Sequence, residues 1–363
     1  MSASMRILYV AYPMVTVSED SCGGAEQMLC TLESEIARRG YRTIVAACEG
    51  SRVTGELLPT GAVPECPDRY EARNAQHVAM ILRYIGSVQA SGRRIDLIHD
   101  KSGSFWRHAA QVDAPVLATL HLPRSFYDSN AFDHLPRNVF FNCVSESQAR
   151  QFGDIAQMLG VVRNGIRVEA FPLLLNARDP YLLWIGRICE EKGTHIAIEV
   201  ARQAGMRLVI AGDVYPFSYH QAYFEREVRP HLQGRHPSVC YVGKPTFAEK
   251  TMLIARAQAV LLPSLVDETS SLVSMEAMAC GTPVIAFRRG AIPEVVRDGV
   301  TGLIVDSVEQ MAEAVGRSGE ISLQACREHV AANFTSWRMA AEYERLYAEV
   351  LQLDSHASES LAA

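Results

Sequence analysis

Short apolar segments alternate with helical patterns along almost the whole chain, and this alternation constrains the fold more than any other feature of the sequence. In the first half, strands are predicted at Arg6–Tyr12, Thr43–Cys48, Asp96–His99, Val116–Leu120 and Val139–Val144. Strands that read as continuous Val-, Ile- and Leu-rich runs are typical of parallel sheets covered on both faces. Helical patterns between such strands supply the crossover connections. The sequence therefore predicts an α/β protein built from parallel β-α-β units.

The alternation pauses near residues 164–180 and then starts again. The second series of predicted strands is Tyr181–Ile185, Arg207–Ala211, Val239–Val242, Ala259–Leu262, Val284–Ala286 and Leu303–Val305. A chain of 363 residues has room for about two domains of ordinary size. We predict a first domain over residues 1–170 and a second over residues 171–334. An amphipathic helix is predicted over residues 335–353, and the small, polar residues 354–363 are predicted to be disordered.

The composition argues against several classes of function. The formal net charge of −6 gives no general attraction to nucleic acid, so no nucleic-acid partner is expected. Nine cysteines without a C-x-x-C pair or other metal-ligand spacing indicate reduced thiols in a cytoplasmic protein, with no metal site. No stretch is long and apolar enough to span a membrane. Weak association with a membrane surface stays open, but the basic residues of Ser91–Arg94 and Arg124 are little evidence for it.

Polar residues that follow strands are the candidates for a site, because ligands bind outside the carboxyl ends of the strands of an open parallel sheet. The loop after Tyr181–Ile185 carries two cations, Arg187 and Lys192. A pair of fixed cations suits a diphosphate, since arginine binds oxygens with a planar fork and lysine supplies a mobile point charge. Ion pairing of solvated cations with Glu190 and Glu191 explains this segment equally well.

Two carboxylates, Glu268 and Glu276, stand on either side of a hydroxyl-rich stretch that follows the strand Ala259–Leu262. The residues Leu272–Cys280 are predicted to be helical, and the preceding hydroxyl residues are N-cap candidates: Thr269, Ser270 and Ser271. The amino end of such a helix favours an anion. A carboxylate can also accept hydrogen bonds from two neighbouring sugar hydroxyls. The competing interpretation is one solvated loop acid and one acid on a helix face.

The first half offers weaker candidates. His121 ends the strand Val116–Leu120, and His99 has the same strand-end position, but a lone histidine is more often structural. Gly23 and Gly24 open the first helix in an arrangement that can cradle an anion. The full G-x-G-x-x-G fingerprint is absent, which argues against a dinucleotide-dependent dehydrogenase.

Taken together, these segments resemble the GT4 group of retaining, nucleotide-sugar-dependent glycosyltransferases (glycosyl transferases group 1), which have the GT-B fold. The matching segments, in chain order, are GGAEQ (23–27), IHD (98–100), His121, VSESQA (144–149), NGI (164–166), WIGRICEEKG (184–193), LVIAGD (208–213), YVG (241–243), the paired-glutamate segment (268–276), EAMACGTPVIA (276–286), GAIPEVV (290–296) and GVTGLIV (299–305). The resemblance implies two Rossmann-like, doubly wound domains that face a central cleft. It also implies that the helix over residues 335–353 completes the first domain.

The resemblance assigns catalytic roles to four residues. Arg187 and Lys192 would bind the diphosphate and stabilise its charge as the glycosidic bond breaks. Glu268 would hold hydroxyls of the donor sugar near the reacting carbon. His121 would contact the donor sugar near its C6 hydroxyl or the reaction centre.

The resemblance also assigns residues to donor binding. Glu276 would hold the ribose hydroxyls, and Lys244 would lie beside the base. The remaining donor-binding residues would meet phosphate and sugar: Gly23, Gly24, Ser270, Ser271, Leu272 and Val273. Gly24 would allow a close approach of the backbone to the phosphate, since a side chain would obstruct it. No cofactor and no obligatory metal are implied, because arginine and lysine supply the positive charge.

One departure from the family pattern affects the donor pocket. Where the family commonly has Phe-Gly, this chain has Ser270-Ser271, which adds a Cβ and a hydroxyl beside the phosphate-binding backbone. The resemblance implies a retaining hexosyltransferase that uses a UDP- or GDP-sugar, while the acceptor (carbohydrate, lipid-linked or natural product) stays open. The alternatives are a nucleotide-sugar epimerase or hydrolase of the same fold, or a non-catalytic module that binds sugar nucleotides.

Overall fold

The structure, a computed structural model, describes residues 5–21, 23–65, 69–174, 178–233 and 238–362. The chain divides into two compact units, Met1–Arg163 with Ser336–Ala363, and Asn164–Thr335. The terminal helix therefore belongs to the same unit as the first half of the chain. The change from one unit to the other falls at residue 164, slightly before the predicted domain boundary at residue 170.

Parallel strands and helices alternate in both units. The strands are β1 Arg6–Val10, β2 Arg42–Ala47, β3 Glu56–Pro59, β4 Leu97–Asp100, β5 Val116–Thr119, β6 Val139–Cys143, β7 Met158–Val161, β8 Tyr181–Ile185, β9 Arg207–Ala211, β10 Val239–Tyr241, β11 Ala259–Leu262, β12 Val284–Phe287 and β13 Gly302–Val305. The helices are α1 Gly24–Arg38, α2 Tyr70–Ala90, α3 Glu146–Ala149, α4 Thr194–Gln203, α5 Ser218–Tyr223, α6 Phe247–Arg256, α7 Leu272–Ala279, α8 Ile292–Val295, α9 Val308–Arg317, α10 Leu323–Asn333 and α11 Ser336–Ala362.

The first unit contains a seven-stranded sheet with the order β3-β2-β1-β4-β5-β6-β7, and its neighbouring strands are parallel. Its central strands β1, β4, β5 and β6 are almost entirely buried, which explains their continuous apolar sequences. The two edge strands, β3 and β7, were not predicted. Both are only partly buried, and β3 ends in proline while β7 contains glycine, so neither has the expected apolar run.

A buried hydrogen-bond network ties α11 to this sheet. The Tyr347 hydroxyl lies 3.1 Å from the Tyr9 hydroxyl and 2.8 Å from His99 Nδ1. His99 Nε2 lies 2.8 Å from the Thr119 hydroxyl, so both ring nitrogens of this fully buried histidine are satisfied within the core. His99 therefore has a structural role in the first unit, and its strand-end position did not indicate a ligand site.

The second unit contains a six-stranded parallel sheet with the order β10-β9-β8-β11-β12-β13. Helix α5 passes into a π-helical turn at Phe224–Val228 and then a 3-10 turn at Arg229–Leu232. Pro230 has no backbone N–H to donate, and its ring disfavours a regular α-helical turn before it.

Helix α11 continues through Ala362, beyond the predicted helix end at residue 353 and into the tail predicted to be disordered. Residues 354–362 contain neither proline nor glycine, so nothing in the sequence ends the helix there. Ala363 lies outside the described residues.

No helix in the described part of the chain is long and apolar enough to cross a membrane. The basic residues considered for surface association have partners within the protein. Arg94 forms an ion pair with Asp96 at 2.6 Å, and Arg124 donates to backbone carbonyls of its own loop, including Ser129 O at 3.0 Å. These contacts give the membrane hypothesis no further support.

Lys101, just after β4, is buried against α11, and this burial makes a pH-dependent stability testable. Its Nζ lies 3.3 Å from the Tyr343 hydroxyl and 4.7 Å from the centre of that ring. Burial lowers the pKa of Lys101 to about 7. Between pH 7 and 10 the unfolded chain therefore holds a proton that the folded chain lacks, so stability should rise with pH by about 1.4 kcal/mol per pH unit. We expect Lys101→Met to remove this rise, as measured by urea unfolding at several pH values.

The exposed Lys244 supplies the matched control, because Lys244→Met removes a lysine whose surroundings change little on folding. Parallel stability curves for the wild type and Lys101→Met between pH 7 and 10 would contradict the lowered pKa.

Candidate active site

Two loops of the second unit meet because the strands before them are neighbours. Strand β8 pairs with β11, and their carboxyl ends lead into residues 186–193 and 263–271. Lys192 Nζ lies 2.6 Å from Glu268 Oε1 and joins the two loops in an ion pair. The sheet order thus brings together two charges that are far apart in the sequence.

Glu268 is held in its ionised form within this ion pair. The Ser264 hydroxyl also donates to Glu268 Oε1. Burial raises the pKa of Glu268, but the Lys192 ammonium and the hydroxyl of Ser264 outweigh that effect and leave the pKa below its usual value. The more distant charge of Arg187 acts in the same direction. At neutral pH Glu268 is therefore a carboxylate that accepts hydrogen bonds, not an acid that supplies a proton.

Glycines allow the backbone around this ion pair to pack closely. Gly193 has φ +67°, and a Cβ there would lie 2.1 Å from the carbonyl oxygen of Pro263. Gly290 has φ +54°, and a Cβ there would lie 2.3 Å from the carbonyl oxygen of Glu268. The adjacent Ala291 N–H donates to that same oxygen at 2.7 Å. The backbone of Glu268 is consequently fixed from the loop that follows β12.

Arg187 has an acidic partner within its own loop. Its Nη2 lies 3.0 Å from Glu191 Oε1, and its guanidinium lies 5.6 Å from the centre of the Tyr215 ring. The hypothesis of pairing with Glu191 is therefore correct for Arg187, whereas Lys192 pairs across loops with Glu268. About a third of the Arg187 side chain is exposed, so its donors remain accessible to a ligand.

Glu276 forms a second, more deeply buried ion pair. Its Oε1 lies 2.6 Å from Lys250 Nζ, and only 6% of the Glu276 side chain is exposed. The interpretation of Glu276 as a solvated helix-face acid is therefore wrong. Lys250 was not among the predicted site residues. It lies in a helix that begins with a Thr246–Glu249 capping box, a pattern that is also typical of an ordinary surface helix.

The serine pair before α7 has an unusual backbone. Ser271 occupies the N-cap position with φ +52° and ψ +63°, and it is the one non-glycine residue with positive φ in the described ranges. Its hydroxyl lies 2.6 Å from the Ser274 hydroxyl and does not cap the helix, so the N-cap interpretation is wrong for its side chain. The neighbouring Ser270 hydroxyl accepts a hydrogen bond from Asn164 Nδ2 at 2.8 Å.

The other predicted donor-binding residues of this unit differ in their positions. Leu272 and Val273 are the first residues of α7, and the first N–H groups of a helix have no intrahelical acceptor. Lys244 is exposed and follows β10 at the edge of the sheet. The structure therefore brings Lys192 and Glu268 into direct contact, with Arg187 on the same loop, whereas it places Lys244 outside this group.

The three predicted residues of the first unit lie after its strands. Gly23 is the N-cap of α1, and Gly24 is the first residue of that helix. Glu26, which lies one turn further and was given no role at the predicted site, is buried beside Gly23; burial raises the pKa of its carboxyl group. His121 follows β5 and is half-buried, and burial together with the charge of Lys101 lowers its pKa well below its usual value. His121 is therefore neutral at physiological pH.

Comparisons with known proteins show what the chain is similar to. Residues 179–318 match the family described as glycosyl transferases group 1. The resemblance to the group 1 glycosyltransferases is confirmed. D-inositol 3-phosphate glycosyltransferase from Mycobacterium marinum is 31% identical over 204 residues, covering 52% of this chain and 43% of that protein. The Mycobacterium tuberculosis protein of the same name is 32% identical over 209 residues, covering 53% and 42%. The chain thus spans less than half the length of the curated relatives it matches.

Solved structures show the same fold over nearly the whole chain. Sucrose-phosphate synthase from Thermosynechococcus elongatus has a TM-score of 0.77 at 20% identity, covering 96% of this chain and 99% of that one. HepE from Anabaena, solved in complex with UDP and glucose, has a TM-score of 0.75 at 17% identity, covering 95% and 99%. The predicted fold class, GT-B with two Rossmann-like domains, is therefore confirmed.

The positive φ at Ser271 yields a stability prediction. A left-handed conformation costs a non-glycine residue about 1–2 kcal/mol, whereas glycine adopts it freely. Ser271→Gly also loses the Ser274 contact, which offsets about 1 kcal/mol. We expect this variant to be as stable as the wild type or up to about 1 kcal/mol more stable, measured as the free energy of unfolding in urea.

Ser270→Gly is the matched control, because Ser270 has no positive φ and its hydroxyl holds Asn164. It should destabilise the protein by roughly 1–2 kcal/mol. Equal losses of stability in the two glycine variants would show that Ser271 carries no backbone strain.

Proposed function

We propose that this protein is a retaining glycosyltransferase that moves a hexose from a nucleoside-diphosphate sugar to an acceptor hydroxyl. The observation that carries the proposal is the Lys192–Glu268 ion pair, held beside Arg187 at the carboxyl ends of β8 and β11. Ligands of open parallel sheets bind at this edge. The similarity of residues 179–318 to glycosyl transferases group 1 supports the same reaction class.

Lys192 and Arg187 would bind the diphosphate of the donor. As the bond from the sugar to the phosphate breaks, negative charge grows on the leaving diphosphate, and two preorganised cations stabilise that charge. Phosphate oxygens would replace Glu191 as the partner of Arg187, since a bidentate guanidinium suits both groups. Because these side chains supply the positive charge, the proposed transfer has no obligatory metal and no other cofactor.

Glu268 and Glu276 would act as acceptors for hydroxyl groups. In each carboxylate, one oxygen accepts a hydrogen bond from a lysine, and the second oxygen can accept a hydrogen bond from a ligand. Glu268, beside Lys192, would hold the transferred sugar, and Glu276 would hold the ribose. The amino end of α7, with Ser270 to Val273, would meet the phosphate and sugar.

Retention of configuration follows from same-face attack, in which the leaving phosphate helps to remove the acceptor proton. The ionised state of Glu268 agrees with this proposal, because a carboxylate without a proton cannot serve as the general acid. The roles that the resemblance implies for Gly23, Gly24, His121 and Lys244 stay predictions of the sequence.

The donor is proposed to be a UDP- or GDP-sugar. HepE binds UDP and glucose, which makes UDP-glucose the first donor to examine. The curated relatives act, by name, on D-inositol 3-phosphate, so that compound is a rational first acceptor beside carbohydrate, lipid-linked and natural-product hydroxyls. A cytoplasmic location is proposed with it, since nucleotide-sugar donors and reduced cysteines fit that compartment.

Removal of the Lys192 ammonium tests the proposed catalysis. We expect Lys192→Met to lower kcat by roughly 10²–10³-fold, the range found when one stabilising group is removed from a transition state. The matched control is Arg202→Met, which removes the cation of an exposed ion pair with Glu199 in the same unit. Rates are measured as UDP release and as glycosylated product, with folding checked by circular dichroism.

An unchanged kcat in a folded Lys192→Met variant would contradict the assignment. The double variant Lys192→Met/Glu268→Gln separates loss of charge stabilisation from the effect of an unpaired carboxylate. A rate that recovers in the double variant would attribute the loss in Lys192→Met to the unpaired carboxylate and not to the missing ammonium.

A thermal-shift series tests the donor. UDP-, GDP-, ADP- and dTDP-sugars are compared at one concentration, because a ligand that binds only the folded protein raises Tm more the more tightly it binds. We expect one nucleotide series to raise Tm, and Glu276→Gln to weaken that shift by removing the negative charge that would hold the ribose. The control is the exposed Glu199→Gln, which should keep the full shift. Conversion of the preferred donor without any acceptor would favour the epimerase or hydrolase alternative.

A further inference from the structure

A cluster of three metal-ligating side chains lies beside the Arg187–Glu191 ion pair. The Cys189 thiol, the Glu191 carboxylate and the His220 imidazole place one ligand atom each within 4.8 Å of the others. Cys189 is fully buried, His220 is 1% exposed, and Glu191 is half-buried. Such a sulfur, nitrogen and oxygen set is a typical set of protein ligands for Zn²⁺.

These residues come together because the strands that precede them are neighbours in the sheet, as is also the case for Lys192 and Glu268. Cys189 and Glu191 lie in the loop after β8, and His220 lies in α5, after the neighbouring strand β9. The aromatic rings of Tyr215, Phe217 and Tyr219 surround the imidazole, with centroid distances of 4.3–6.3 Å. His220 is therefore held in one place by packing.

The ring nitrogens of His220 point to a ligand. Within the described part of the chain, neither Nδ1 nor Nε2 has a hydrogen-bond partner, and both atoms are buried. A buried polar group left without a partner costs about 1–3 kcal/mol, so such groups are rare in folded proteins. The contrast with His99, whose two nitrogens both have partners in a core of similar burial, shows that the fold can satisfy a histidine where its role is only structural.

We propose that Cys189, Glu191 and His220 form a Zn²⁺ site. Ligand atoms around tetrahedral zinc lie about 3.5 Å apart, because each is about 2.0–2.3 Å from the ion. The three side chains would close by about an ångström, with the thiol proton passing to solvent and a water completing the coordination. The half-buried Glu191 gives the ion a route from solvent. This site was not visible in the sequence because His220 is 31 positions from Cys189 (220 − 189) and belongs to another β-α connection.

No step of the proposed transfer uses this ion. It would anchor the loop 186–193, which carries Arg187 and Lys192, to α5. It would also compete with Arg187 for Glu191, since both bind the same carboxylate. Zinc binding can therefore be tested directly, whatever the outcome of the proposed glycosyl transfer.

Metal titration of the whole protein tests the proposal. Chelator-treated protein is titrated with ZnCl₂ against a zinc indicator, and with CoCl₂ while the absorption spectrum is recorded. We expect a single zinc ion per chain and, with Co²⁺, a near-ultraviolet thiolate charge-transfer band together with tetrahedral d–d bands. Cys189→Ser and His220→Gln should each lower zinc affinity by at least about a hundredfold, because loss of a ligand exceeds the 10- to 100-fold effect of outer-shell changes.

Cys240→Ser and His231→Ala are the matched controls, since they remove a cysteine and a histidine of the same unit outside the cluster and should leave binding unchanged. Should either cluster variant fail to fold, the cobalt spectrum of the wild type and the other variant still decide the matter. The proposal is overturned if the wild type binds no zinc, if Co²⁺ gives no thiolate band, or if the band survives in a folded Cys189→Ser variant.

Discussion

The candidate site depends on one contact, the ion pair between Lys192 and Glu268, because this contact joins the loops after two neighbouring strands. Parallel pairing of β8 with β11 brings the loops to one edge of the sheet, and the glycines at 193 and 290 let the backbones approach. The charges then neutralise each other in a partly buried place where a lone charge would be costly. The proposed donor diphosphate would use the same arrangement, since its negative charge would compensate the cations that Glu268 and Glu191 balance in this structure.

Much of the fold was predictable from local pattern. Strands β8, β9 and β11 were predicted with the bounds that the structure shows, because each is a continuous apolar run that the sheet buries. The edge strands β3 and β7 were not predicted. An edge strand need not be apolar, and its pairing depends on strands that are distant in the sequence. The C-terminal end of α11 was not predicted either, because small polar residues are compatible with a helix as well as with a disordered tail.

The partners of the site residues were less predictable than the residues themselves. Glu268 and Glu276 could be selected from their positions after a strand and within a helix, but their lysines come from other elements. Lys250 lies on α6, and only the packing of α6 against α7 places it 2.6 Å from Glu276. Ser271 could be identified from the sequence as a departure from the family pattern. Only the structure shows that its backbone is left-handed, a conformation that glycine adopts more easily. Such strain persists only where surrounding contacts fix it, as the Ser274 hydroxyl and the Asn164–Ser270 hydrogen bond do here.

The loop 186–193 shows why residue roles cannot be read one at a time. Arg187 and Lys192 pair with the acids Glu191 and Glu268, while Cys189 and Glu191 contribute to the cluster with His220. Glu191 belongs to both groups, so its loss would free Arg187 and remove a candidate metal ligand at once. The adjacent Glu190 is exposed and belongs to neither group, which makes it the natural reference for any change at Glu191. An effect of Glu191 on donor binding is therefore attributable to Arg187 only where it persists in protein freed of metal.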